Sequence, residues 1–239
     1  MKSSHTPQII FHLLGSMIII QGFLLLIPIS ITLLYGEYGL ISAFLLPSLM
    51  SFSIGYLLQQ NTAAGTLTFL QSMLICGLAW IVLSFFSCIP FCIGAGSSFV
   101  DAYFETVSGI TTTGITLFTD IEVLPKSILF WRSFIQWLGG LGILTFFLAI
   151  TFRSNITYFQ LYSAESHKID SSRPTPGIFN TVVILWTIYA AFTVCEIIIL
   201  KILGLSLFDS FCHTFTTIST GGFSTYNASV DYFRRAGYD

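Results

Sequence analysis

Two short runs hold the atoms with which this chain could do chemistry: Ile110-Thr111-Thr112-Thr113-Gly114 and Ile218-Ser219-Thr220-Gly221-Gly222. Neither carries a charge. What both offer is oxygen. A cation sheds its hydration water only where other oxygens replace it, and the backbone carbonyls of a short extended loop can do so. Such a loop needs residues that accept unusual φ and ψ, which glycine does, and small side chains that leave the path open. The reading of these residues is that their carbonyls converge on one axis and bind a cation, with the Thr and Ser hydroxyls as secondary donors.

The runs belong to a longer repeat. "DAYFETVSGITTTGIT" (Asp101–Thr116) aligns without a gap on "DSFCHTFTTISTGGFS" (Asp209–Ser224), at a constant offset of 108 (209 − 101). Asp101 meets Asp209, Thr112 meets Thr220 and Gly114 meets Gly222. Similarity at a fixed period is the signature of a structural repeat. The stretches Phe99–Gly109 and Leu207–Thr217 just before the runs are helix-like and amphipathic. Each is about half the ~20 residues that a bilayer crossing needs. Asp101 and Asp209 lie near the N-termini of these half-helices, where a carboxylate complements the helix dipole and supports the site. The opposite, partially negative ends then point at the threonine runs, which favours a cation.

The elements that position these runs are membrane spans. Of 239 residues, 54% are hydrophobic and 8% charged, and the mean hydropathy is +0.84. Soluble domains carry about 25% charged residues, so the chain reads as an integral membrane protein in contact with the lipid bilayer. Five apolar stretches qualify as spans: Ile9–Leu34, Leu40–Leu58, Leu67–Ile93, Phe130–Phe152 and Ile178–Leu203. Half-length helices followed by irregular polar backbone are tolerated at membrane depth where they line a cavity or are buried in protein. The runs therefore read as re-entrant loops. The fold class is an all-α integral membrane protein with two leading spans followed by span–re-entrant pore loop–span repeats, the second incomplete. Residues 1–66 form the leading pair, 67–155 the first repeat, 156–177 a cytoplasmic loop, and 178–239 a second repeat that stops after its filter strand.

Charge and cysteine content exclude other classes. With a net charge of −2 and no Lys/Arg cluster, there is no nucleic-acid partner. The five scattered cysteines read as small packing residues. No nucleophile–base pair, facing aspartates or His-Glu-x-x-His is present, so the chain is not read as an enzyme. Asp101, Glu105, Asp120, Glu122, Asp209, Asp231 and Asp239 form an acidic vestibule in this reading, against fewer bases (Lys126, Arg234 and Arg235), which raises local cation concentration. Arg132 reads as snorkelling near the start of its span. Glu196, within a span, is a weaker candidate for transport. Gly139, Gly140 and Gly142 read as close helix packing, with a flexible gate as the alternative. Lys2, Arg153, Lys168 and Arg173 favour a cytoplasmic N-terminus and polar loop, Arg234 and Arg235 oppose it, and orientation rests mainly on span parity: with the N-terminus inside, both loops open outward.

"DAYFETVSGITTTGIT", "ILFWRSFIQWLGGLGI", "QLYSAE" and "FCHTFTTISTGGFSTYNASVDYF" together resemble the bacterial Trk-type potassium uptake proteins, within the wider Trk/Ktr/HKT superfamily. The resemblance covers nearly the whole chain. It implies a pore of four span–loop–span repeats, with potassium coordinated here at Thr112, Thr113, Thr220 and Gly221 and the family glycine at Gly114 and Gly222. It also implies a multi-pass protein of the bacterial inner membrane, a homodimer mate, a cytosolic nucleotide-binding regulatory subunit, and K+ as the transported ion with no covalently bound cofactor. Gly114 and Gly222 resemble the potassium-favouring type of that superfamily. Ser163 stands in "QLYSAE" where family members usually carry Arg. The chain stops just after the second strand, and two strands cannot enclose an ion. It is therefore read as the N-terminal half of a potassium translocator, a truncated product. The alternative is a non-conducting fragment or interaction subunit that takes the missing repeats from another chain.

Overall fold

The computed structural model describes residues 6–60, 68–153 and 178–235. Among them all regular structure is helical: α1 (Thr6–Leu34), a 3-10 turn (Tyr38–Leu40), α2 (Ile41–Gln59), α3 (Phe69–Gly94), α4 (Phe99–Ile110), α5 (Lys126–Arg153), α6 (Ile178–Ile202), α7 (Leu207–Ile218) and α8 (Asp231–Arg235). Five of these, α1, α2, α3, α5 and α6, are long and apolar enough to cross a bilayer, in agreement with the five expected spans. The expected cytoplasmic loop 156–177, with Ser163 in it, and Asp239 lie outside the described residues.

The repeat is geometric as well as sequential. Helices α4 and α7 are each 12 residues long and occupy positions 108 apart (207 − 99). Both start on a serine. Ser98 accepts from the Asp101 amide and donates to Asp101 Oδ2 at 2.7 Å, and Ser206 does the same with Asp209 at 2.6 Å. A hydroxyl and a carboxylate in the first turn satisfy donors that the helix cannot, and both favour its positive end.

Helix α5 is the axis of the fold. Its first part is buried on most sides, whereas α6 is largely exposed on its apolar surface. Trp131 Nε1 donates to the Ser87 carbonyl of α3 at 3.0 Å, Trp137 Nε1 donates to Thr193 Oγ1 of α6 at 3.0 Å, and Tyr189 OH donates back to the Trp137 carbonyl at 3.1 Å. Phe130 packs edge-on, and Phe134 and Trp137 tilted, against Phe215 of α7. The leading pair α1–α2 reaches α5 through Glu37, whose carboxylate accepts from the Lys126 and Ser127 amides and the Ser127 hydroxyl at 2.6–3.0 Å. That cap starts α5 at Lys126, four residues before the expected Phe130. The apolar pattern begins later than the helix because a carboxylate from another element satisfies its first-turn donors.

Candidate ion-binding site

Both half-helices end halfway along α5. Gly139 lies 13 residues beyond Lys126 (139 − 126), or ~20 Å at a rise of 1.5 Å per residue. A Cβ built on Gly139 would run into the Ile110 carbonyl, and one on Gly140 would meet Tyr189 Oη at 2.6 Å and Ser219 Cβ at 3.0 Å. These glycines seat the ends of α4 and α7 against the middle of α5, the close packing expected of them. The chain then climbs back along α5. Ser219 faces Gly140, the Gly221 carbonyl accepts from Gln136 Nε2 at 3.0 Å, and the Ser224 carbonyl accepts from Arg132 Nη1 at 3.1 Å. The first strand returns likewise, with Thr116 beside Arg132 and the chain re-entering α5 at Lys126.

The two half-helices end in the same way. Thr112 N–H donates to the Gly109 carbonyl and Thr113 N–H to that of Ser108; Thr220 N–H donates to Thr217 and Gly221 N–H to Thr216. This is the paired closure that normally places glycine at the left-handed residue after a helix. Here threonine occupies it, with φ 56° at both Thr112 and Thr220. A β-branched residue in that region is an outlier, and such strain concentrates at functional sites. Glycine was expected to carry the unusual backbone, and Gly114 (φ 78°) and Gly222 (φ 82°) do so two residues later. The threonines were not expected to, because no propensity marks them.

The closure spends the carbonyls of the last helical turn and leaves those of the strand free. Among the described residues, the carbonyls of Ile110, Thr111, Thr112, Thr113 and Gly114, and of Ile218, Ser219, Thr220 and Gly222, accept no hydrogen bond. That of Gly221 is engaged by Gln136. The strands are close neighbours at Gly114, where an added Cβ would run into the Gly221 carbonyl. The hydroxyls divide. Ser219 Oγ turns back to Phe215 and Thr216, and Thr111 Oγ1 turns back to Val107. Those of Thr112 and Thr220 have no partner among the described residues.

Several side chains read as vestibule or interface groups lie elsewhere. Glu105 and Arg132 are each 1% exposed and form an ion pair at 2.9 Å. Neither borders solvent, because each neutralises the other inside the protein. Asp209 is buried and accepts from Thr225 Oγ1 at 2.8 Å and Tyr226 OH at 3.1 Å, so it supports the second strand and does not line a mouth; Asp101 is exposed. Asp120 and Glu122 hold Asn227, whose side-chain oxygen accepts from the Ile121 amide at 2.6 Å, joining the segments that follow the two strands. Glu196 lines a cavity of about 270 Å³ with His213 and Thr217 beside α7, and no residue of the two carbonyl runs lines it. Gln136, which pins Gly221 on one side and accepts from Phe223 N–H at 3.1 Å on the other, is in the sequence only part of a motif that carries the family resemblance, with no role of its own. Its signal was available: it is the one amide side chain in α5.

The fold and these strands define a multi-pass membrane protein built from units of span, half-length helix and carbonyl-rich strand. Residues 41–238 match the family model TrkH, cation transport protein, and the chain belongs to that family. It is 38% identical over 93% of its length to an uncharacterized cation transporter of Methanocaldococcus jannaschii, and 36% identical over 96% to the Trk system potassium uptake protein TrkH of Halomonas elongata. The crystal structure of the potassium transporter TrkH from Vibrio parahaemolyticus superposes with a TM-score of 0.77 at 31% identity, covering 95% of this chain. The chain spans about half the length of these relatives, 46%, 48% and 46% respectively.

Proposed function

We propose that the chain contributes two strands of a potassium-selective pore and works as part of a Trk-type potassium uptake system. One observation carries this reading: nine backbone carbonyls, in two matched and neighbouring strands, that no protein donor engages. Backbone oxygens at membrane depth need a partner, and a cation stripped of its water is one. Coordination falls on Thr112, Thr113, Thr220 and Gly221, the last sharing its oxygen with Gln136. Ile110, Thr111, Gly114, Ile218, Ser219 and Gly222 complete the two strands. Residues 67–155 and 178–239 act as repeats, and both loops are re-entrant from the outer face of a cell membrane, the inner membrane in a bacterium. Permeation is passive or gated, driven by membrane potential or coupled ion gradients.

Two strands supply oxygens on two sides of an ion. The remaining sides are filled by protein outside these 239 residues, as the double length of the relatives supports. A homodimer mate and a cytosolic nucleotide-binding subunit follow from the family resemblance. The same half-length coverage favours a second reading, an inserted but non-conducting chain that completes a pore only beside a partner chain. Rubidium uptake by cells lacking other potassium systems, with and without co-expression of the adjoining reading frame, tests both. Uptake that exceeds sodium uptake and depends on Gly114 supports the pore. Discrimination unaffected by Gly114→Ser, in a context that conducts, would show that the filter lies elsewhere.

A further inference from the structure

A cation is selected by oxygens only while they stand at a set distance, so the proposed pore needs its strands held apart by a fixed length. Among the described residues, one group reaches both where they continue two residues beyond the glycines, at Thr116 and Ser224. Arg132 enters from α5, and its Nε donates to Glu105 Oε1 at 3.0 Å, its Nη2 to Thr116 Oγ1 at 3.2 Å, and its Nη1 to the Ser224 carbonyl at 3.1 Å. The guanidinium also lies over the Phe223 ring at 4.3 Å. Glu105 extends the grip on the first strand, since its carboxylate accepts from the Leu117 amide and the Thr116 hydroxyl, both at 2.9 Å. The first strand therefore hangs on Glu105 and Nη2, and the second on Nη1.

We infer that Arg132 is a positioning residue for cation selection: a cross-strap whose planar guanidinium fixes the separation of the two strands. The inference rests on the ion-conducting reading above. Its physical basis is the rigidity of the fork. The donors of a guanidinium sit on one covalent frame, whereas a lysine ammonium is a point charge on a flexible stem. Burial adds to this, because a charge removed from water tolerates no loose partners. Gln136 cannot replace the strap, since its bonds to Gly221 and Phe223 reach the second strand alone. The Asn227 clasp acts further along, where the strands have ended.

Hydrogen exchange of the purified chain in lipid nanodiscs, read by mass spectrometry, tests the strap strand by strand. Loss of a charged hydrogen bond speeds exchange about ten-fold where that bond governs opening. Arg132→Gln is expected to accelerate peptides from both strands, around 115–118 and 219–225. Glu105→Gln is expected to accelerate the first alone. Arg132→Lys keeps the charge beside Glu105 and is expected to accelerate the second alone, with α1–α3 unchanged in every case. Wild-type protection of 219–225 in Arg132→Lys, or acceleration spread evenly over α1–α3, overturns the inference. The second readout is the ratio of rubidium to sodium uptake in cells lacking other potassium systems, with the chain's complement co-expressed. Arg132→Lys is expected to lower this ratio at unchanged membrane abundance, and an unchanged ratio with a loosened second strand overturns the link to selection. If the unaltered protein moves no rubidium in any setting, the ion-conducting reading falls, while the exchange pattern still decides the strap.

Discussion

The two half-helix and strand units share a backbone and differ in what holds it. Their helices, serine caps, left-handed threonines and following glycines coincide at the same offset. The supporting side chains do not. The first unit rests on a buried charge pair, Glu105 with Arg132. Position 213, which aligns with Glu105, is a histidine, 3.2 Å from Thr225, which in turn donates to Asp209. The second unit is thus held by the Asp209 carboxylate with its hydroxyl and phenol donors and by the Gln136 amide, and it shares a single guanidinium bond, Arg132 to the Ser224 carbonyl, with the first. Two largely different sets of side chains deliver one main-chain geometry, so what the two units share is the placement of the backbone oxygens.

This comparison can be broken at several points. The largest effect is expected at the glycines. Gly114→Ala forces a Cβ against the Gly221 carbonyl, so strand separation and left-handed backbone fail together; rubidium-over-sodium discrimination should drop at least about ten-fold, which is ~1.4 kcal/mol. Gly222→Ala meets no atom within 4 Å among the described residues, and bears only the backbone cost of about 1–2 kcal/mol for an L residue in that region. Uptake ratios that fall equally in the two variants would remove the asymmetry. Next comes Gln136→Leu, which leaves the Gly221 carbonyl and Phe223 amide unpaired and should destabilise by about 1–3 kcal/mol, measured as a lower melting temperature in detergent with the second strand affected first. Asp209→Asn should lower the melting temperature more than Asp101→Asn, because the buried carboxylate serves Thr225 and Tyr226 whereas the exposed one serves its own cap. The smallest change is expected from Thr112→Gly and Thr220→Gly. Relief of left-handed strain and added freedom of the unfolded chain oppose each other within about 1 kcal/mol, and the two variants should match.

What was legible in the sequence follows from how local each signal is. Spans are written in composition, and all five are where hydropathy puts them. The half-helices were legible because two amphipathic stretches, each about half a span long, carry an aspartate near their start at the same offset. Partnership across the chain was not. Arg132 read as snorkelling and Glu105 as vestibule, since each is an ordinary interface residue until the other, 27 positions away, is brought beside it. Asp120 and Glu122 likewise gain their role from Asn227, more than 100 residues on. The left-handed threonines stayed hidden for the opposite reason: local preference argues against them, and only tertiary packing at Gly139 and Gly140 enforces the turn.

The carboxylate of Glu37 on the first turn of α5 has a consequence for biogenesis. Chains enter the membrane from the N-terminus onward, so the α1–α2 hairpin is already seated when Lys126 and Ser127 emerge, and it offers them a ready-made acceptor. Neutralising that acid should leave the mature fold standing yet delay the docking of α5, visible as prolonged protease sensitivity in newly made protein. The leading hairpin is then a template for the helix that carries everything else.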